Sequence, residues 1–252
     1  MNIRTLRVLF SCIALALAAQ SISAGENPTL QQILNAHVEA MGGWRAWNKI
    51  ESIRLTGTIE REGKTVDFCI IKKRPDQIRA TITMPVPGQE DEAVQLIRAY
   101  DGKTAWTATR TAGEQTYIGE PIWDEGRKEL IEDAKLLPKL IQLWQDGASL
   151  EFVGVGTKYN IPVFIIQSNC DSDGIAYRFY LDTRKYTLIE YSILQKGNIL
   201  STTRLSCYSE ISGILFPKNI QIESLHNPTI CMKIANVELG VGIYQEYFEL
   251  VE

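Results

Sequence analysis

Few residues of this chain combine the type and the spacing that chemistry needs. The two histidines, His37 and His226, stand far apart. There is no His-Glu-x-x-His spacing, no Cys-x-x-Cys pair and no His/Cys cluster to hold a metal. A Gly-x-Ser-x-Gly elbow for a nucleophilic serine is also missing. Gly154-Val155-Gly156-Thr157-Lys158 has the composition of a phosphate loop, but it lacks the Gly-Lys-Ser/Thr order and sits between strands, not ahead of a helix. Asp171-Ser172-Asp173-Gly174 begins like a calcium loop, yet its glycine comes early and no glutamate closes it. Both read as hairpin turns. Asp124 and Glu125 form an acid pair at a helix start, where such charges serve the helix dipole. His37, on an apolar helical stripe, reads as a packing or surface histidine. The expectation is a protein without catalytic residues, metal ligands or cofactor, and therefore not an enzyme.

What the chain has in abundance is strand. From Ser149 to Leu239 apolar residues fall on alternate positions, as in Ile161, Val163, Ile165, then Ile175, Tyr177, Phe179, Leu181, then Ile189, Tyr191, Ile193. Short punctuation at Asp173-Gly174, Asp182-Thr183-Arg184-Lys185, Lys196-Gly197-Asn198 and His226-Asn227-Pro228-Thr229 makes the neighbours antiparallel. A second meander precedes it, with Ile53, Leu55 and Ile59 around a bend at Gly57, then Val66 to Ile70, Ile78 to Met84, and a hairpin turning at Asp101-Gly102. Tyr186, Leu188 and Leu194 are expected on one face of a strand and Ile189, Tyr191 and Ile193 on the other. Pro85 to Glu92 reads as an exposed loop.

Two stretches change period. Thr29 and Gln32 form a capping box ahead of Leu30, Ile33, Leu34, His37, Val38 and Met41, and Gly42-Gly43 ends that helix. Leu130, Ala134, Leu137, Ile141 and Trp144 step by four and three along a second helix, which Pro138 kinks or restarts. Its stripe needs a partner, and the sheet is the large apolar surface on offer. The fold class expected is mainly β with some α: a curved antiparallel sheet of about 11–12 strands forming an incomplete barrel, with helices plugging the concave face. Tyr244 to Leu250 reads equally as a terminal helical turn or an edge segment.

Arg4 and Arg7, an apolar run from Val8 to Ala19 and a small-residue exit at Ser21 to Ala24 read as a cleavable export signal over 1–24. The remainder, 25–252, reads as a single domain. Taking Arg4 and Arg7 from the 26 basic residues leaves 24 against 30 acids, a net charge of −6. That balance offers no footprint for nucleic acid or anionic headgroups. Four cysteines remain: Cys69, Cys170, Cys207 and Cys231. Cys207 and Cys231 are expected two strand spacings apart, too far for a bridge.

Ala99-Tyr100-Asp101-Gly102-Lys103-Thr104-Ala105-Trp106, Tyr180-Leu181-Asp182-Thr183 and Gly213-Ile214-Leu215-Phe216-Pro217, together with the layout of the mature chain, resemble the LolA-like periplasmic lipoprotein-sorting carriers of Gram-negative bacteria. The resemblance implies a monomeric periplasmic protein whose half-barrel of about eleven strands binds lipid on its concave side, beneath plugging helices. Its implied partners are lipid or lipoprotein acyl chains, with inner- or outer-membrane proteins as further partners. The candidate pocket lining is Ile53, Leu55, Ile59, Phe68, Ile70, Ile82, Trp106, Leu130, Leu137, Ile141, Trp144, Phe179, Ile220 and Ile222. The Leu130 to Trp144 helix is expected to fill the cavity when it is empty and to swing aside on loading. The family's carriers use a basic residue near the pocket mouth, and Arg54, Arg79 and Arg98 lie on candidate strands. The alternative is a periplasmic sensor or interaction domain on the same kind of fold, docking a protein through the Pro85 to Glu92 loop or an edge strand.

Overall fold

The computed structural model describes residues 28–250 except 87, 112, 114–117 and 226, and except the side chains of 89–91. The export signal read over 1–24 and His226 lie outside the described residues. Helix α1 (Leu30–Ala40) starts on its capping box, with the Gln32 amide donating to Thr29 Oγ1 and the Thr29 amide donating to Gln32 Oε1. Gly42 then reverses the chain with φ of 114° and α2 (Gly43–Trp47) follows. A side chain at Gly42 would run into the carbonyl of Gly213, so α2 is seated directly on the sheet.

The first meander consists of β1 (Ser52–Arg61), β2 (Lys64–Lys73), β3 (Gln77–Val86), β4 (Gln89–Tyr100), β5 (Ala105–Thr111) and the short β6 (Glu120–Pro121). Helices α3 (Asp124–Ala134) and α4 (Lys139–Gln145) separate it from the second. That meander runs through β7 (Leu150–Lys158), β8 (Ile161–Ser168), β9 (Ile175–Asp182), β10 (Leu188–Gln195), β11 (Asn198–Ile211), β12 (Ile214–Ser224) and β13 (Ile230–Leu239). All thirteen strands form one sheet in the order β6-β5-β4-β3-β2-β1-β13-β12-β11-β10-β9-β8-β7. Every pairing is antiparallel, and one seam, β1 with β13, joins the two meanders. The sheet is an incomplete barrel with β6 and β7 at its edges. Its curl is measured by one contact: α3 packs on Ile78, Tyr100 and Ala105 at one end of the strand order. Yet Lys128 of α3 lies 3.0 Å from Asp173, in the β8–β9 turn at the other end.

Residues paired across strands share a face, so the register sorts every side chain. The bend expected at Gly57 is a bulge between Thr56 and Gly57 in the β1–β13 seam. A Cβ on Gly57 would collide with the Lys233 carbonyl oxygen, so any side chain there must push the seam apart. Gly57→Val is expected to cost about 1–3 kcal/mol, read as a lower urea midpoint with an unchanged slope.

Several expectations change with the register in view. Gly154–Lys158 lies within β7 and is not a turn; the reversal falls at Tyr159-Asn160, whose φ values of 51° and 62° suit a tight hairpin. Pro85 to Glu92 is a hairpin end, not a loop: Pro85 pairs with Ala93 and Val86 with Gln89, across a bulge that tolerates the proline. A bulge between Leu188 and Glu190 sets Leu188 opposite Leu181 and Tyr191 opposite Phe179 on the helix-facing side. Leu194, expected beside Leu188, pairs with Ala176 on the other side. The terminal segment forms a 3₁₀ turn, Gln245–Tyr247, and packs on the convex face, where Trp106 Nε1 donates to the Phe248 carbonyl at 2.8 Å. Trp106 is therefore buried on the convex side, away from the helices. Cys207 and Cys231 lie on β11 and β13 with β12 between them, and the four described cysteines are free thiols.

Candidate functional site

The concave face is one apolar wall with a helical filling. Across β1, β2 and β3 the register lines up Ile53–Lys72–Ile78, Leu55–Ile70–Ala80 and Gly57–Phe68–Ile82, with Ile59 opposite Val66. Across the seam it continues through Leu55–Val237, Gly57–Ile234 and Ile59–Met232–Ile220, and Ile222 pairs with Ile230. The residues read from the sequence divide in three on this surface. Leu55, Ile59, Ile70, Ile82, Ile220 and Ile222 are half-buried and form an open wall. Ile53, Phe68, Leu137 and Ile141 are buried together under α1 and α2 against Val38, Met41 and Trp47. Leu130 is buried on Ile78 and Tyr100, and Phe179 under Ile33, Leu34 and Leu140. Trp144 joins the two larger clusters with its ring 5.8 Å from that of Trp44. Trp106 alone of the fourteen is on the wrong face. The reading missed Val66, Met232, Ile234 and Val237, although Ile230, Met232 and Ile234 step by two, the signal that exposes a strand.

The filling is the segment from α3 to α4. Pro138 ends one helix and caps the next, leaving Lys135 to Pro138 as a non-helical link that presses Leu137 into the trough. Its polar ties among the described residues are mostly solvent-exposed, Arg127 to the Lys103 carbonyl at 3.3 Å among them. Lys72 Nζ donates to the Lys135 carbonyl at 3.1 Å, and Arg98 reaches Glu129 at 3.3 Å and the Gly126 carbonyl at 3.5 Å. On the far side Lys128 meets Asp173, and Lys139 lies 4.5 Å above the Tyr177 ring while pairing with Glu132 at 2.6 Å. Burial opposes the Lys139 charge, but Glu132 and Tyr177 outweigh it and raise its pKa. Exposed pairs such as Arg98–Glu129 and Lys128–Asp173 contribute roughly 0–1 kcal/mol each, so apolar packing holds this segment in place. Of the three arginines considered for the pocket mouth, Arg98 faces the helices, whereas Arg54 pairs with Glu238 and Arg79 lies under Tyr247 on the convex face.

His37 belongs to the same filling. It is 1 % exposed on α1, with Nδ1 2.7 Å from the Tyr186 carbonyl and Nε2 buried without a partner. Burial lowers its pKa from 6.5 to about 4, and the bond to Tyr186 recovers only part of that. The ring is neutral and packs as a polar wedge, with Nδ1–H donating to Tyr186.

No protein-family model matches the chain, and no curated protein matches it. Solved structures do. A DUF1329 family protein from Desulfovibrio piger is 13 % identical, with 88 % of this chain and 98 % of that chain covered and a TM-score of 0.59. A LolA superfamily protein from Nitrosomonas europaea is 10 % identical over 88 % and 98 %, with a TM-score of 0.55. A domain from Vibrio parahaemolyticus described as outer membrane lipoprotein-sorting is 12 % identical over 85 % and 95 %, with a TM-score of 0.54. At these identities the likeness is one of architecture: the chain has a LolA-like fold.

Proposed function

We propose that this LolA-like chain is a non-enzymatic extracytoplasmic carrier that shelters an acyl chain of a lipid or lipoprotein in its concave trough. One observation carries the reading. The centre of the trough is occupied by the chain's own Leu137 and Ile141, on a segment with weak polar ties, while the wall beside them stays apolar and half-buried. An acyl chain gains about 0.8 kcal/mol per buried methylene, roughly ten kcal/mol for a long one, and would scarcely leave a permanently open trough. A segment that refills the space when the ligand departs offsets part of that gain and makes loading reversible. The signal-like residues 1–24 support delivery across the inner membrane, with the periplasm as the place of work.

The test joins composition to mechanics. Native mass spectrometry of gently purified protein is expected to find copurifying lipid. With Cys69, Cys170, Cys207 and Cys231 changed to serine, Lys128→Cys and Asp173→Cys joined by a cleavable thiol crosslinker will tie α3 to the β8–β9 turn. Uptake of a labelled lipid is then expected to fall about tenfold or more and to return when the linker is cut. Unchanged uptake by the tied protein would end the gate, and a lipid-free protein that takes up no lipid would end the carrier.

A further inference from the structure

The wall carries one charge that an acyl chain alone does not call for. Lys72 points to the helix-facing side between Ile53 and Ile78, both buried, in a β2 row that otherwise reads Ile70, Phe68, Val66. It borders a cavity of about 160 Å³ beneath the α3–α4 link, lined also by the two carboxylates Glu132 and Asp133 and by Lys139, Gln142 and Tyr191. Its ammonium makes one hydrogen bond, to the Lys135 carbonyl, and no carboxylate comes within salt-bridge distance of it among the described residues. Lys139, the second cation of the cavity, is neutralised by Glu132. A lysine has three donors, so Lys72 holds the unspent hydrogen-bonding capacity of this cluster. Removal from water lowers its pKa, and the charge of Asp133 offsets that only in part.

Resting on the carrier reading, we infer that the Lys72 cavity is a carboxylate-binding subsite and that the ligand of the trough is a long-chain fatty acid. The dimensions fit. From Lys72 to Val66 the β2 row runs about 20 Å, the length of an extended long fatty acyl chain. The cavity has the volume of about five water molecules, enough for a carboxylate and its hydration. The carboxylate takes the place of the Lys135 carbonyl at Lys72. Loading therefore removes the tie that holds the α3–α4 link, and the tail enters the space that Leu137 vacates.

The experiment is equilibrium binding of hexadecanoate and of its methyl ester to the full chain, with and without Lys72→Met, a substitution that keeps the stem and suits the apolar surroundings. The acid is expected to bind about ten- to hundredfold more tightly than the ester, and Lys72→Met to abolish that difference: the acid loses its partner, while the ester, freed of the Lys72 tie on the α3–α4 link, binds at least as tightly as before. Equal binding of acid and ester by the unmodified protein, or equal weakening of both by the substitution, would overturn the carboxylate subsite and leave the apolar trough standing. If neither probe binds, this inference falls, and the carrier reading falls with it only if native mass spectrometry also finds no copurifying lipid.

Discussion

Glu190→Ala is expected to lower stability by about 3 kcal/mol and the melting temperature by roughly 6–12 °C. Glu190 lies within β10 at 1 % exposure, on the face away from the helices. Lys158 Nζ reaches one of its oxygens at 2.6 Å and the Tyr159 hydroxyl donates to the other at 2.5 Å. Arg204, its partner across β11, lies over the Tyr159 ring at 4.0 Å. Burial works against the Lys158 charge, but the hydrogen bond and charge of Glu190 prevail and its pKa is raised. The carboxylate thus pins the tip of the β7–β8 hairpin to β10 and β11. Removing it strands two cations, both about a third exposed, so the loss stays at the lower end of the range for broken buried pairs. Glu190→Gln keeps an acceptor for Tyr159 and should lose roughly half as much. Thermal melts of the three proteins at one pH decide it; a shift of under 2 °C for Glu190→Ala would mean that the hairpin is held by backbone pairing alone.

Acidification is expected to remove about 3 kcal/mol of stability through His37 alone. The native imidazole has its pKa lowered from 6.5 to about 4, so the unfolded chain takes up the proton first. The contribution is complete above pH 6.5, shrinks as pH falls and is gone below about 4. The protonated ring must either stay charged in its buried place beside the Tyr186 carbonyl or carry α1 away from the trough. Urea titrations from pH 7.5 to 4 on the native protein and on His37→Gln separate this from the carboxylates, which both share. The native profile should fall more steeply between pH 6.5 and 4, and parallel profiles would refute a neutral buried imidazole.

Local chemistry was legible in the sequence and neighbour-dependent chemistry was not. The Thr29–Gln32 capping box, the Asp101-Gly102 turn and the restart at Pro138 each depend on a few adjacent residues, and each is found where the sequence puts it. Period two located the strands, but a bulge shifts the phase by one residue, and its position is decided across the ladder. Hence Leu188 and Leu194 part company. Trp106 was misjudged because β5 reads Ala105, Trp106, Thr107, Ala108, with apolar groups on both sides, and its cover comes from the distant Phe248. Lys72 sits in the unalternating run Ile70-Ile71-Lys72-Lys73, where nothing local distinguishes an inward lysine from an outward one. Nothing local marks Glu190, between Ile189 and Tyr191, as a buried acid, since its partners belong to other hairpins.

The seam between β1 and β13 bears on how the molecule is assembled. Every other adjacency in the sheet joins strands consecutive in the chain, so each half can zip up from short reversals in the microsecond range. Ile53 and Leu239, by contrast, meet across about three quarters of the chain, and the entropy of closing so long a loop is repaid only when both halves already present finished edges. Until then β1 and β13 are bare templates for any passing strand. A newly made copy is most open to self-association in that interval.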